Sequence, residues 1–452
     1  MGLLLPAELQ LQIFSFLERH DLKAVRAVCR AFRDNASPHL FKSALVCARY
    51  RALSTLKLIS LHESYRKYVK EIIFDGSVYL KSFTLSSDRY RAEADHHEGL
   101  RVGFSREKFL RHGRYKQLYE EQEEMRKDGV LLMEVARALE WLPNVSSVIY
   151  SPGPRTVPIE AKLVRDLLPR GVASELDVLD ADYTETSQHG IHHLIAAAHM
   201  TQYTGIREFR IDALDEASDS EMLHVPGIEF TIAAFQFPSP DHIEAGKFFF
   251  SNLHKLDINL SLCAREARLS PLDFAPLDML ANFSTLLTEA ADLQELSLNI
   301  THWRASAGSM YGHIVGTDKA LFPYLGLGAT WKFLRVLRLG GVYTSEPQLL
   351  GFVSRHKDTL SEAHFTHCSL VEGIWANVVD EIVYGTEIFP FSLHFVNETD
   401  IEGTPFHALD PEHWIKWQYV GRILKNREGQ RYYESSTTTL SVYARREQQA
   451  EE

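Results

Sequence analysis

The sequence predicts an α/β chain: a small three-helix module at the N-terminus, then an irregular solenoid of alternating strands and helices. Residues 3–45 show helical periodicity with two proline-marked starts. Farther along, a short apolar pattern recurs seven times or more, and segments with helical patterning lie between its copies. A strand–helix unit cannot bury its apolar face alone, so stacked neighbours make the core.

In the segment LLLPAELQLQIFSFLERHDLKAVRAVCRAFRDNASPHLF, Pro6 marks the first helix, whose first position does not need the N–H that proline lacks. Leu9, Ile13, Phe16 and Leu17 fall at i, i+4, i+7 and i+8, which is one apolar stripe. Arg19-His20 interrupts it, and Asp21 is placed to cap a second helix. On that helix Leu22, Val25, Val28, Cys29 and Phe32 line a face, while Lys23, Arg26, Arg30 and Arg33 stay in water. Ser37-Pro38 repeats the cap-plus-proline signal and leads into Leu40, Phe41 and Leu45. Helices this short leave apolar surface over, for the rest of the chain or for a partner.

The order Leu-Pro-x-Glu-Leu, Ile-Phe-x-Phe-Leu, Asp-Leu, Val-x-x-Val-Cys-Arg-x-Phe resembles the F-box family over about 43 residues. Phe41 departs from it, because many members carry tryptophan there. A plain helical hairpin capping the next domain meets the periodicity equally well but does not explain that order.

The recurring pattern is apolar-x-x-apolar-x-apolar: Val69-Ile72-Phe74, Val145-Val148-Tyr150, Ile206-Phe209-Ile211, Leu253-Leu256-Ile258, Leu293-Leu296-Leu298, Leu334-Leu337-Leu339 and, more weakly, Leu360-Ala363-Phe365. Its last two members are two apart and share one strand face. Positions 256, 296, 337 and 363 are 40, 41 and 26 residues apart, enough for a strand, a helix and two turns. Ala173-Leu176-Val178 fills a long gap, and Phe391, Leu393 and Phe395 alternate as a final strand. Helical patterning covers 189–203, 277–290 and 347–356, the last with a stripe of Leu349, Leu350, Phe352 and Val353. The arrangement resembles the degenerate leucine-rich repeats of fungal F-box proteins; a closed or mixed α/β domain shares the alternation.

Residues 86–128 hold ten basic and ten acidic side chains, and 106–127 reads as an exposed helix. A solvated flank explains such a run, as does a partner-contacting insertion. Trp414, Trp417, Tyr419, Tyr432 and Tyr433 precede a polar tail and suit a cap on the solenoid's open end, or an aromatic cleft. The organisation is therefore 1–45 docking module, 46–85 linker helix and first repeat strand, 86–128 charged insertion, 129–400 repeat domain, and 401–452 cap and tail.

At 45% apolar and 24% charged, the composition is that of an ordinary globular chain. No apolar run reaches a membrane-spanning length, and Pro6 and Glu8 break the leucine run a secretory signal would need. Cys29, Cys47, Cys263 and Cys368 lack zinc spacing and suit reduced thiols of the cytoplasm or nucleus. A net charge of −12 argues against wholesale nucleic-acid binding. Nucleotide-loop, serine-hydrolase and zinc-protease motifs are absent from the sequence. His189, His192 and His193 share a helix face, but no further ligand is fixed beside them, so ordinary helix-surface histidines are expected and no metal or cofactor.

The F-box resemblance implies docking of a Skp-type adaptor, and through it a cullin–RING ubiquitin ligase core, while the C-terminal domain selects an unknown protein substrate. The chain would be a non-catalytic substrate receptor. The alternatives are an F-box scaffold outside any ligase, or an α/β enzyme capped by helices. Expected adaptor contacts are Leu5, Pro6, Leu9, Ile13, Leu17, Leu22, Val25, Val28, Cys29 and Phe32, some of which turn inward instead. Strand positions alternating with the buried ones supply the expected substrate face. They are Arg210, Asp212, Asp257, Asn259, Ser297, Asn299, Arg338 and His364, with Glu71, Asp75, Glu208, Lys255 and Glu295 beside them. Acids prevail in the middle repeats, which favours a partner of some basic character.

Overall fold

The computed structural model describes residues 5–76, 79, 81–88, 90, 106–151, 190–211, 230, 232–262, 277–301, 321–366, 368–388, 391–394, 397–398, 422–425, 431–434 and 439–443. The chain divides into two compact units, Met1–Glu229 and Phe230–Glu452. This division falls inside the 129–400 stretch expected as one repeat domain. The fold is mixed α/β: N-terminal helices are followed by parallel strands alternating with helices, in a solenoid-like arrangement.

The first unit opens with α1 (Ala7–Ser15), α2 (Arg19–Arg26) and α3 (Arg30–Leu40). Pro6 stands just before α1, at its N-cap. The second helix is shorter than expected and Glu18, not Asp21, stands at its start. Cys29 adopts an extended backbone, and its sulfur accepts the Phe32 N–H at 3.5 Å, which begins α3 there. Val28, Cys29 and Phe32 therefore do not belong to α2. No helix starts at Ser37-Pro38: Pro38 sits inside α3, and the Ser37 hydroxyl donates to the Arg33 carbonyl at 2.6 Å.

Leu45 is not helical either. It lies in β1 (Ser43–Cys47), which follows α3 almost directly. Next come α4 (Tyr50–Leu61), β2 (Glu71–Asp75), the short α5 (Lys81–Leu85), α6 (Arg106–Lys127), α7 (Val130–Trp141), β3 (Ser147–Ser151), α8 (Gly190–Met200) and β4 (Glu208–Ile211). Strands β1 to β4 are parallel, with Ala44, Ile72, Val148 and Phe209 in one row and Val46, Phe74, Tyr150 and Ile211 in the next. All eight are buried, on the side where α4, α7 and α8 stack.

Helix α6 keeps the expected bounds but is not a solvated flank. His112, Tyr115, Leu118, Gln122 and Met125 are buried at helical spacing. Tyr79, Tyr90, Tyr115 and Leu118 form a small core, and Gln122 accepts the Tyr79 N–H at 2.7 Å while donating to the Tyr79 carbonyl at 3.1 Å. Glu121 on the same helix accepts the first N–H of α4, that of Tyr50. The charges occupy the faces this core leaves free.

The second unit contains α9 (Pro240–Ser251), β5 (Lys255–Ser261), α10 (Leu277–Glu289), β6 (Glu295–Thr301), β7 (Val336–Gly340), β8 (Tyr343–Ser345), α11 (Glu346–His356), β9 (Glu362–Thr366), β10 (Ser369–Glu372), α12 (Trp375–Gly385), β11 (Phe391–His394) and β12 (Asn397–Glu398). Strands β5, β6, β7, β9 and β11 pair in parallel and in register, so that Leu256, Leu296, Leu337, Ala363 and Phe391 make one buried row. A second ladder, β8–β10–β12, is also parallel. Each of the last repeats therefore carries a short second strand after the first. Gly341 turns the chain between β7 and β8 at φ +63°, and a side chain there would strike the Ile300 carbonyl. Strands β13 (Arg422–Lys425), β14 (Arg431–Glu434) and β15 (Thr439–Tyr443) then continue antiparallel from β11.

One backbone device recurs at strand starts. The Lys42 carbonyl accepts from Lys70 and Glu71 N–H, Lys70 from Ser146 and Ser147, and Ser146 from Arg207 and Glu208. His254, Gln294 and Arg335 carbonyls repeat the device in the second unit. The first apolar residue of each sequence repeat, from Val69 to Leu360, is buried beside it. Ala173-Leu176-Val178, Phe395 and the aromatic group at 414–419 lie outside the described residues.

Helix α11 is stopped and started by identifiable groups. Ser345 and Gln348 form a capping box. Leu349, Phe352 and Val353 are buried, but Leu350 lies to the side. His356 is held neutral: its Nε2 accepts the Trp331 N–H at 3.0 Å, and Nδ1 lies 2.9 Å from the Phe352 carbonyl. Burial pushes its pKa below the usual 6.5, and Arg355 adds to this, against the opposing effect of the Phe352 bond.

Two outcomes are expected. Leu337→Ala removes a fully buried side chain and destabilises the second unit by about 2–5 kcal/mol, measurable by denaturant unfolding. Because folded His356 takes up a proton less readily than the unfolded chain, its contribution is intact above pH ~6.5 and is lost as pH falls through the lowered value. Thermal midpoints of the native protein should fall over that window more steeply than those of His356→Gln; equal slopes would refute the assignment.

Candidate adaptor-docking site

Phe14, Leu22, Ala36 and Leu40 form the interior of the N-terminal module, with Leu17, Val25, Phe32 and Phe41 packed against them. Phe14 and Phe32 meet edge to face at 5.4 Å. Buried Gln10 ties the helices together, donating to the Leu5 carbonyl at 2.5 Å and accepting from Asn35 at 3.0 Å. This core is complete without the stripe at 9, 13 and 16, which faces outward. Leu9 and Ile13 are each 45% exposed, Phe16 is 81% and Val28 is 68% exposed.

Among the ten expected contact residues, the structure brings Leu5, Pro6, Leu9, Ile13, Val28 and Cys29 to the surface. Leu17, Val25 and Phe32 are half-buried against the core. Leu22 is a core residue with 3% exposure and has no surface to offer a partner. Leu11 and Phe16 were not among the expected contacts, yet they are exposed beside them. Phe16 was visible as part of the stripe; nothing in the periodicity marked Leu11.

The module is fastened to the first repeat. The Arg26 side chain donates from Nε to Ser37 Oγ at 3.0 Å and from Nη2 to the Tyr65 hydroxyl at 2.8 Å. Its guanidinium lies over the Phe41 and Tyr65 rings, which stack 4.0 Å apart, and His62 stacks on the other side at 3.6 Å. Arg26, expected in water, is thus a structural cation, and Phe41 serves as its platform.

On the sheets, the expected substrate positions share the face away from the helices. Arg210 and Arg338 are exposed, and Asp257, Asn259, Ser297, Asn299 and His364 are half-buried; Asp212 lies outside the described residues. Asp75 departs from expectation, being 2% exposed beside buried Tyr150, whose phenol is pushed well above its ordinary pKa by burial and by that carboxylate. Glu362, which was not anticipated, pairs with Arg338 and lies 3.0 Å from His364 Nε2. His364 Nδ1 lies 2.5 Å from the Ser392 hydroxyl. Serine, histidine and carboxylate thus stand in line. Ser392 is nearly buried, however, in a strand paired on both sides, so its backbone offers no free donors to a developing oxyanion.

His192 is buried in α8 and not on the helix surface, and His189 lies outside the described residues. Among the described residues, no three histidine, cysteine or acidic side chains are grouped to hold a metal. No described helix is long and apolar enough to cross a membrane.

A helical docking module carrying a free apolar face, built onto a strand–helix repeat body, is the class of protein that these features define. The F-box-like family model matches residues 3–44, so the module is an F-box-like domain, of the kind that binds Skp-type adaptors. The match spans the three helices and the start of β1, and no curated protein matches the chain.

The cysteines offer a check on this geometry. Cys29 is exposed, whereas Cys47 and Cys368 are buried, and burial pushes the Cys368 thiol up to about 12. In the folded protein at pH 7.5, alkylation followed by peptide mass spectrometry should label Cys29 and leave Cys47 and Cys368 protected.

Proposed function

We propose that this chain is the substrate receptor of an SCF-type cullin–RING ubiquitin ligase, working in the cytoplasm or nucleus. The N-terminal module docks a Skp-type adaptor, which brings the cullin–RING core, and the repeat body holds a protein substrate. The observation that carries this is the outward apolar stripe of α1 on a module whose interior is already filled. Water-exposed leucine, isoleucine and phenylalanine at this density mark an interaction surface.

Ubiquitin transfer belongs to other subunits, and this chain contributes position. Holding substrate lysines near the reactive thioester replaces a bimolecular encounter with a local one. The Arg26 clamp supports that role, because the docking module then keeps one orientation on the first repeat.

Ile13→Asp and Val28→Asp should each weaken adaptor co-purification by at least ~30-fold, as loss of about 2 kcal/mol at an interface hot spot implies. Both residues are outside the core, so circular dichroism should be unchanged. Leu22→Asp should instead unfold the module. Adaptor binding retained in both surface variants would sink the proposal, and adaptor recovered without cullin would assign the chain to a scaffold outside the ligase.

A further inference from the structure

The face of the second unit's sheet that points away from the helices is unevenly satisfied. At one end Lys255 pairs with Glu295 at 2.8 Å. Farther along, Arg338, Glu362, His364 and Ser392 form a continuous chain of contacts. Between them lie two in-register pairs on β5 and β6, Asp257 beside Ser297 and Asn259 beside Asn299.

Among the described residues, none of these four side chains makes a hydrogen bond or ion pair, and Asn259 Oδ1 is shielded from water without a partner. Asn299 leans over Gly340, where a larger residue would collide with its Oδ1. The neighbouring cations among the described residues are already engaged, Lys255 by Glu295 and Arg338 by Glu362. What remains among the described residues is a half-buried patch rich in acceptor oxygens with one negative charge that no described cation compensates, in a chain of net charge −12.

We propose that Asp257, Asn259, Ser297 and Asn299 form a subsite for one basic side chain, arginine or lysine, presented by a protein partner. This rests on the receptor function proposed above and adds the chemistry of what the receptor holds. A guanidinium brings five N–H donors and no acceptor, the complement of a carboxylate flanked by amide and hydroxyl oxygens. The charge-assisted bond to Asp257 supplies most of the selectivity, because a neutral or acidic side chain leaves that carboxylate uncompensated.

The test uses the full chain labelled with 15N at asparagine, titrated with Nα-acetyl-arginine amide and with the corresponding glutamine and glutamate amides. The side-chain amide resonances of Asn259 and Asn299 should shift saturably with the arginine probe alone, at millimolar concentration. Asp257→Asn should weaken that response about fivefold or more, and Ser297→Ala about twofold, in line with the loss of a charged and a neutral hydrogen bond. An equal response to the glutamine or glutamate probe, no saturable shift, or an undiminished response in Asp257→Asn would each overturn the subsite. So would broadening of these resonances that grows with protein concentration alone, which would assign the patch to a second copy of the chain. Adaptor capture by the same samples is read in parallel and bears only on the receptor function.

Discussion

The strand ladders rest on one geometric requirement: every parallel strand must meet its neighbour in register, with its apolar pair on the helix side. A slip of one residue would turn Leu296 and Leu298 to water and bring Ser297 and Asn299 into the core. A shared carbonyl at the starts of β2, β3, β4, β6, β7 and β9 opposes that slip. When Gln294 accepts from both Arg335 and Val336, the next strand begins at a set height. The buried first apolar residue of the pattern, Leu334 in that repeat, anchors the same point from below. Stability and register therefore come from the same few residues in each repeat.

The junction between the docking module and the body obeys a similar economy. Helix α3 runs into β1 with only Phe41 and Lys42 between, and the Lys42 carbonyl is the first of the shared acceptors. Arg26, Phe41, Tyr65 and His62 stack across that join. A charged residue of α2 thereby serves the architecture, while the apolar residues Leu9, Ile13 and Phe16 of α1 stay exposed to water. Parallel sheets are usually covered on both faces. Among the described residues, helices cover one face, and polar residues of the other form short networks such as that of Arg338, Glu362, His364 and Ser392.

Much of this was legible in local pattern. Seven copies of the apolar triplet each correspond to a strand, because alternation two residues apart is a property of the strand itself. The bounds of α6 were legible from the charged run over 106–127. Its burial was not, since Tyr79 and Tyr90 are distant in sequence and only the folded chain brings them onto Tyr115. Strand β1 is unmarked in the sequence because it follows α3 with no turn signal between them. The inward turn of Leu22, against the outward turn of Ile13, was likewise beyond periodicity, which identifies an apolar residue but not the side from which it is covered.

The sequence by itself determined the module's family resemblance, the seven strands that carry the apolar triplet, and the alternation that sorts each of these into a core face and a polar face. These depend on neighbours a few residues apart. Only the tertiary structure decided which apolar residues of the module are left to water, that Arg26 and Phe41 clasp the first repeat, and that Arg338, Glu362, His364 and Ser392 contact one another while Asp257 meets no partner among the described residues. Those outcomes depend on cross-strand register and packing between residues up to dozens of positions apart, where side chains of identical type meet different partners.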